Sequence, residues 1–197
     1  MFLYRKYNYS FSQVGEDVIL GGFMTQKQKG FFVDIGAFHP YMLSNTFRFY
    51  RNGWSGINID AAPGSMEAFK KLRPRDINIE AAISETPEQL TYYYLGAGNS
   101  MNTFSKEFLT KLGAESQIKK EIAIITKRLD SILEQHTGGR EINVMSIDVE
   151  GLELSVLKSN NWDKFRPQLI LLESFELMNE QNDYDLEIRN YFILRKG

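Results

Sequence analysis

The chain has 197 residues, enough for one domain with a real core. With 43% apolar and 24% charged residues it falls in the soluble globular class, not the disordered one. A net charge of -2 and a pI near 5.8 leave no basic footprint for nucleic acid, and the absence of cysteine excludes disulfides, thiolate metal sites and a cysteine nucleophile.

The N-terminal MFLYRKYNYSF lacks the apolar core of a signal peptide. No apolar run reaches the ~18 residues of a membrane span, so a cytoplasmic setting is expected. His39 and His136 lie far apart and give no histidine-rich metal site; no metal is expected. Residues 12–28 read as a helix packed through Val18, Ile19, Leu20, Phe23 and Met24, with Ser12 able to cap it. Gln13 and Glu16 at its start read as capping residues or as a polar wall.

Phe31 to Ile35 is a short apolar run, as expected of a strand buried on both faces in a parallel sheet. Asp34 interrupts it, and Gly36 follows where the backbone turns. Tyr41 to Asn52 predicts a helix capped by Ser44 or Asn45 and stopped at Asn52-Gly53. Gly56 to Ala61 reads as a second strand ending in Asp60. Pro63 suits the first turn of the next helix, with Met66, Phe69 and Leu72 as its apolar stripe. The cluster Lys70, Lys71, Arg73, Arg75 reads as a solvated helix end.

Ile77 to Ser84 reads as a third strand with Ala81-Ala82 near its end, small enough to admit a flat ligand or simply to pack closely. Leu90 to Leu95 predicts an additional strand, 96–100 a loop, and Ser105 the cap of a helix through Leu112. Residues 121–127 predict an edge strand and Leu129 to Gln135 a short helix. Ile142 to Val149 is a strongly apolar strand closed by Glu150-Gly151, and Leu152 to Ser159 a helix. Pro167 to Glu173 is the last clear strand, and Asp183 to Arg195 reads as helical. Strands alternating with helices give an α/β fold with a mostly parallel sheet.

Three strands thus end in acid: Asp34, Asp60 and the Asp148/Glu150 pair. In a parallel sheet such ends share one edge, where ligands sit. Asp60 stands 24 positions after Gly36, the spacing at which a strand-end carboxylate accepts from both ribose hydroxyls. The G-x-G-x-x-G pattern is absent, and Pro40 offers no amide for a pyrophosphate. A ribose without a pyrophosphate in this turn is the profile of S-adenosylmethionine.

The segments SQVGEDVIL (12–20), GFFVDIGAFHP (30–40), SNTFRFYRNGWSGINIDAAPGSMEAF (44–69), RPRDINIEAAIS (73–84) and MSIDVEGLELSVL (145–157) resemble, in order, the FkbM-type methyltransferase family. The resemblance covers most of residues 12–173. It implies a Rossmann-like fold with helices on both faces of the sheet and S-adenosylmethionine-dependent O-methylation of a sugar, glycan or natural product. Asp34, Gly36 and Ala37 would then line the methionine end of the cofactor. Asp60 would hold the ribose, and Ala61, Ala81 and Ala82 would lie near the adenine. Asp148 and Glu150 would face the methyl group and acceptor, and Gln13 and Glu16 would close the pocket. His39 stands where related enzymes often carry a small or amide residue.

A sugar hydroxyl is a weak nucleophile, so a base helps as its proton leaves. Asp148 or Glu150 is the first candidate, and His39 the second. The competing role for Glu150 is a first-turn acid meeting the helix dipole. One domain is expected over 1–197: a helical segment at 1–29, a cofactor-binding core at 30–173 and an incomplete part at 174–197. Methyltransferases of this fold usually add two strands, and here 24 residues follow Glu173. The expectation is a sheet with missing C-terminal strands and an open edge that can pair with a second copy. The rival readings are an NAD-dependent oxidoreductase and a non-catalytic binding module.

Overall fold

The structure, a computed structural model, describes residues 9–24 and 28–173. Five parallel strands form the central sheet: β1 (Phe31–Ile35), β2 (Ser55–Asp60), β3 (Ile77–Glu80), β7 (Val144–Ile147) and β8 (Leu169–Leu172). Their order is β3-β2-β1-β7-β8. The chain steps outward one way from β1 to β3 and later returns to the other side of β1. The switch point therefore lies between β1 and β7, where a crevice opens at the carboxyl ends.

Strand alternation decides what each face buries. Phe31, Val33 and Ile35 pack with α5 (Leu129–His136) and α6 (Glu153–Lys158). Phe32 points the other way, toward α1 (Glu16–Phe23), α2 (Phe47–Arg51) and Trp54. Ala37 packs with Met66 and Phe69 of α3 (Met66–Leu72). Helices thus cover both faces, as the resemblance implies.

Residues 77–84 do not form one strand. Ala81 donates its amide to the Asp60 carbonyl and ends the pairing with β2, and Ala82–Ile83 (β4) leaves the central sheet. It pairs with β6 (Lys120–Lys127), which also pairs antiparallel with β5 (Gln89–Tyr94). The expected edge strand at 121–127 is therefore the middle strand of a second sheet, β4-β6-β5. α4 (Lys106–Lys111) follows, and Ser105 caps it by accepting from the Phe108 amide at 3.1 Å.

α1 is shorter than the span 12–28 because Gly15 enters it with φ of 101°. Ser12 accepts from the first-turn amide of Asp17 at 3.2 Å and donates to its carboxylate at 3.0 Å. Arg48 of α2 reaches that carboxylate at 3.4 Å, which ties the entry of α1 to α2. Pro63 lies in a turn ahead of α3 rather than inside its first turn. β8 is the last strand among the described residues, and the expected helix at 183–195 and the incomplete part at 174–197 lie outside them. Among the described residues, no helix is long and apolar enough to cross a membrane.

Candidate active site

A cavity of about 310 Å³ opens at the carboxyl ends of β1, β2 and β7, within the range of small-molecule sites. The expected residues gather there from distant parts of the chain. Gln13, Asp34, Gly36, Ala37, His39, Asp60, Ala61, Ala81, Ala82, Asp148 and Glu150 all line it. Glu16 does not: its carboxylate accepts from the Val14 amide at 2.9 Å, within the entry to α1.

The β1 turn is built by close approach. Gly36 has φ of 80°, and a Cβ there would sit 1.6 Å from the Asp148 carbonyl oxygen. The absent side chain lets the ends of β1 and β7 meet. The amides of this turn are all engaged. Gly36 and Ala37 donate to the Ile59 carbonyl at 2.9 and 3.0 Å, and His39 donates to the Ala37 carbonyl at 2.6 Å. Phe38, held at φ of 52°, donates to Asp60 Oδ2 at 2.9 Å, while Ala62 donates to Asp60 Oδ1 at 2.8 Å. Asp60 is thereby fixed in orientation, and two backbone donors leave its carboxylate with acceptor capacity for a ligand.

The floor of the cavity is acidic. Burial raises Asp34 and Asp60 above the ordinary carboxylate value; hydrogen bonds from Thr46 to Asp34 and from two amides to Asp60 pull the other way. Burial, followed by a shared proton and like charge from Glu173, pushes Asp148 far up. Glu150 rises to about 8, through burial and then the charges of Glu173 and Glu153. One oxygen each from Asp148, Glu150 and Glu173 lies within 4.8 Å of the others, a grouping that can share protons or hold a cation. Among the described residues, Glu150 Oε2 is buried without a hydrogen-bond partner.

Glu150 is not a first-turn helix acid. α6 starts at Glu153, whose carboxylate accepts from the amides of Val149 and Gly151 at 3.3 and 3.0 Å. Glu150 sits before it with φ of 53°, a left-handed conformation that side chains adopt at a cost and that concentrates at functional sites. Its carbonyl accepts from Thr103 Oγ1 at 2.9 Å, pinning the turn to the β5 side of the cavity. His39 Nδ1 accepts from the amides of Tyr41 and Met42 at 3.3 and 3.1 Å. That places the proton of the neutral ring on Nε2, so His39 offers a donor there and not the lone pair a base needs.

Sequence reasoning missed Glu173, Thr46 and the aromatic wall. Glu173 follows β8 as Asp148 follows β7, so the strand-end rule that found the other acids also reaches it. Tyr92 of β5 and Phe104, in the bend ahead of α4, line the cavity, their ring centroids 4.9 Å apart. Burial, with the charge of Asp60 next, raises the Tyr92 phenol and keeps it neutral.

A family model described as the methyltransferase FkbM domain matches residues 34–197, which leaves Gln13 and Glu16 ahead of the matched stretch. The parallel sheet with helices on both faces agrees with the Rossmann-like methyltransferase fold. No curated protein and no solved structure matches the chain.

Proposed function

The chain belongs to the FkbM methyltransferase domain family, and from that membership we propose that it is an S-adenosylmethionine-dependent O-methyltransferase acting on a hydroxyl of a sugar, glycan or natural product. The observation that carries the proposal is the convergence of Asp34, Asp60 and Asp148 on one cavity. Acids that burial raises above their ordinary value suit a ligand that brings positive charge. The β1 turn supports the same ligand from another side. Its amides at 36–39 already have acceptors and residue 40 is Pro40, so no cradle remains for a pyrophosphate. This disfavours the NAD-dependent alternative.

In this reading Asp60 accepts from the ribose hydroxyls, and Asp34 faces the amino group of the methionine portion. Ala61, Ala81 and Ala82 leave room for the adenine. S-adenosylmethionine, when bound, supplies an electrophilic methyl group. The protein's part is to hold the acceptor oxygen in line, and such positioning supplies ~7–11 kcal/mol in well-oriented reactions. Glu150 takes the acceptor's proton, since its Oε2 has no partner among the described residues, while Asp148 keeps the proton it shares with Glu173. A base near the working pH transfers protons best, and Glu150 at about 8 is close to it.

The test is transfer of labelled methyl from S-adenosylmethionine to a panel of glycans and hydroxylated small molecules, followed by mass spectrometry. One added methyl on a hydroxyl oxygen, lost in Glu150→Gln, is the expected result. Cofactor binding with no transfer to any acceptor in an extract of expressing cells supports the non-catalytic module instead.

A further inference from the structure

A buried cation lies beneath the cavity floor. Arg73 follows α3 and is 0% exposed, its guanidinium 5.1, 5.2 and 5.5 Å from the ring centroids of Phe32, Tyr50 and Phe69. Its Nε pairs with Asp76 Oδ2 at 2.7 Å. Both remaining nitrogens donate to Thr46 Oγ1 at 3.1 Å. A hydroxyl has two lone pairs and one proton. With both lone pairs filled, the proton of Thr46 is committed to its other neighbour, Asp34 Oδ2, 2.5 Å away. A donor at that distance requires Oδ2 to be bare of its own proton.

We propose that Arg73 and Thr46 are positioning residues for Asp34: the guanidinium locks the Thr46 hydroxyl as a donor, and the hydroxyl aims one Asp34 oxygen and leaves the other to the cationic ligand of the cavity. The inference rests on the methyltransferase reading for the identity of that ligand, the amino group of the cofactor, and not for the action on Asp34. Asp34 belongs to the cavity lining; Arg73 does not, so it acts through Thr46. The other charges facing Asp34 are acidic: Asp76 beside Arg73, Asp60 ending β2 and Asp148 following β7. Arg73 is the cation set against them. Burial raises Asp34, and the Thr46 hydrogen bond and then the Arg73 charge oppose the rise.

The experiment compares S-adenosylhomocysteine affinity, by calorimetry, in Thr46→Val, Thr46→Ser and Asp34→Asn, singly and combined. Loss of a charge-assisted hydrogen bond weakens binding by about 10- to 100-fold. Thr46→Val shows that loss, and Thr46→Ser, which keeps the hydroxyl, restores binding to within about threefold, far short of a lost hydrogen bond. In the Asp34→Asn background Thr46→Val has no further effect. An equal loss in both backgrounds makes Thr46 merely structural and overturns the proposal. A carbon-detected titration of Asp34 in the ligand-free protein gives the second readout. Its midpoint rises by at least about one unit in Thr46→Val, or in Arg73→Lys if that variant alone folds. An unmoved midpoint overturns the proposal. If the wild type binds no S-adenosylhomocysteine, the methyltransferase reading fails and the titration alone decides the role of Arg73 and Thr46.

Discussion

Gly36→Ala is the sharpest test of how the turn is built, because Gly53 supplies a matched control. Both glycines have positive φ, 80° and 89°, so both substitutions carry the left-handed penalty of an L residue, ~1–2 kcal/mol. Alanine also restricts the unfolded chain, which offsets ~0.4–1 kcal/mol of that. At Gly53 a new Cβ meets nothing within 4 Å, so Gly53→Ala costs about 1 kcal/mol in sum. At Gly36 it meets the Asp148 carbonyl oxygen at 1.6 Å and the carbonyl carbon at 2.6 Å. The oxygen is main chain and must retreat by roughly 1.8 Å to reach ordinary contact, carrying Asp148 with it. Overpacking of that kind adds ~1–3 kcal/mol, so Gly36→Ala costs about 3 kcal/mol. In a chain of this size that lowers Tm by roughly 6–12 °C. Equilibrium urea unfolding of the two variants beside the wild type reads the difference directly. Equal losses at the two positions would refute the close approach of β1 and β7, and with it the placement of Asp148 over the cavity.

Stability should fall as pH rises across the range where Glu150 titrates. Its carboxyl is raised from 4.5 to about 8, so the folded protein holds a proton the unfolded chain has lost. That contribution is complete below about 4.5 and gone above about 8. Glu150→Gln, a neutral mimic of the protonated acid, therefore lies closest to wild type at low pH and gains on it as pH rises in denaturant titrations, and a pH-independent difference contradicts the assignment. The same raised carboxyl predicts proton release from Glu150 when S-adenosylmethionine binds, seen as a binding enthalpy that varies with the ionisation enthalpy of the buffer. No variation means that Glu150 is already ionised. Asp60→Asn sets an amide NH₂ against one of the two backbone donors, Phe38 or Ala62, and lowers S-adenosylhomocysteine affinity by about 10-fold or more. Unchanged affinity in isothermal titration removes Asp60 from the ribose site.

The parallel core was legible because its strands are short, almost uninterrupted apolar runs, with Asp34 and Asp60 marking their ends. What the sequence hid is mostly long-range pairing. Ile77 to Ser84 reads as one strand because nothing local announces that Ala82–Ile83 leaves to pair with Thr126 and Lys127. Likewise 121–127 reads as an edge, although pairing on both sides makes it central to the second sheet. Arg73 is the clearest misreading. Beside Lys70, Lys71 and Arg75 it looks like one more solvated cation, yet it is buried among three rings while Lys70 and Lys71 stay exposed. Burial of a cation leaves no periodic signature. Asp76, three positions on, is the local hint, and Thr46 lies 27 positions away. Glu150 misled in a smaller way, since the turn at φ of 53° hands the helix-start role to Glu153.

The central claim is that acids from three strand ends form one pocket for a sulfonium nucleoside. Calorimetric titration of the intact chain with S-adenosylhomocysteine, and separately with NAD, tests it most directly. The expected result is one S-adenosylhomocysteine bound per chain, weakened by Asp60→Asn, and no heat from NAD. Saturable binding of NAD with none of S-adenosylhomocysteine contradicts it.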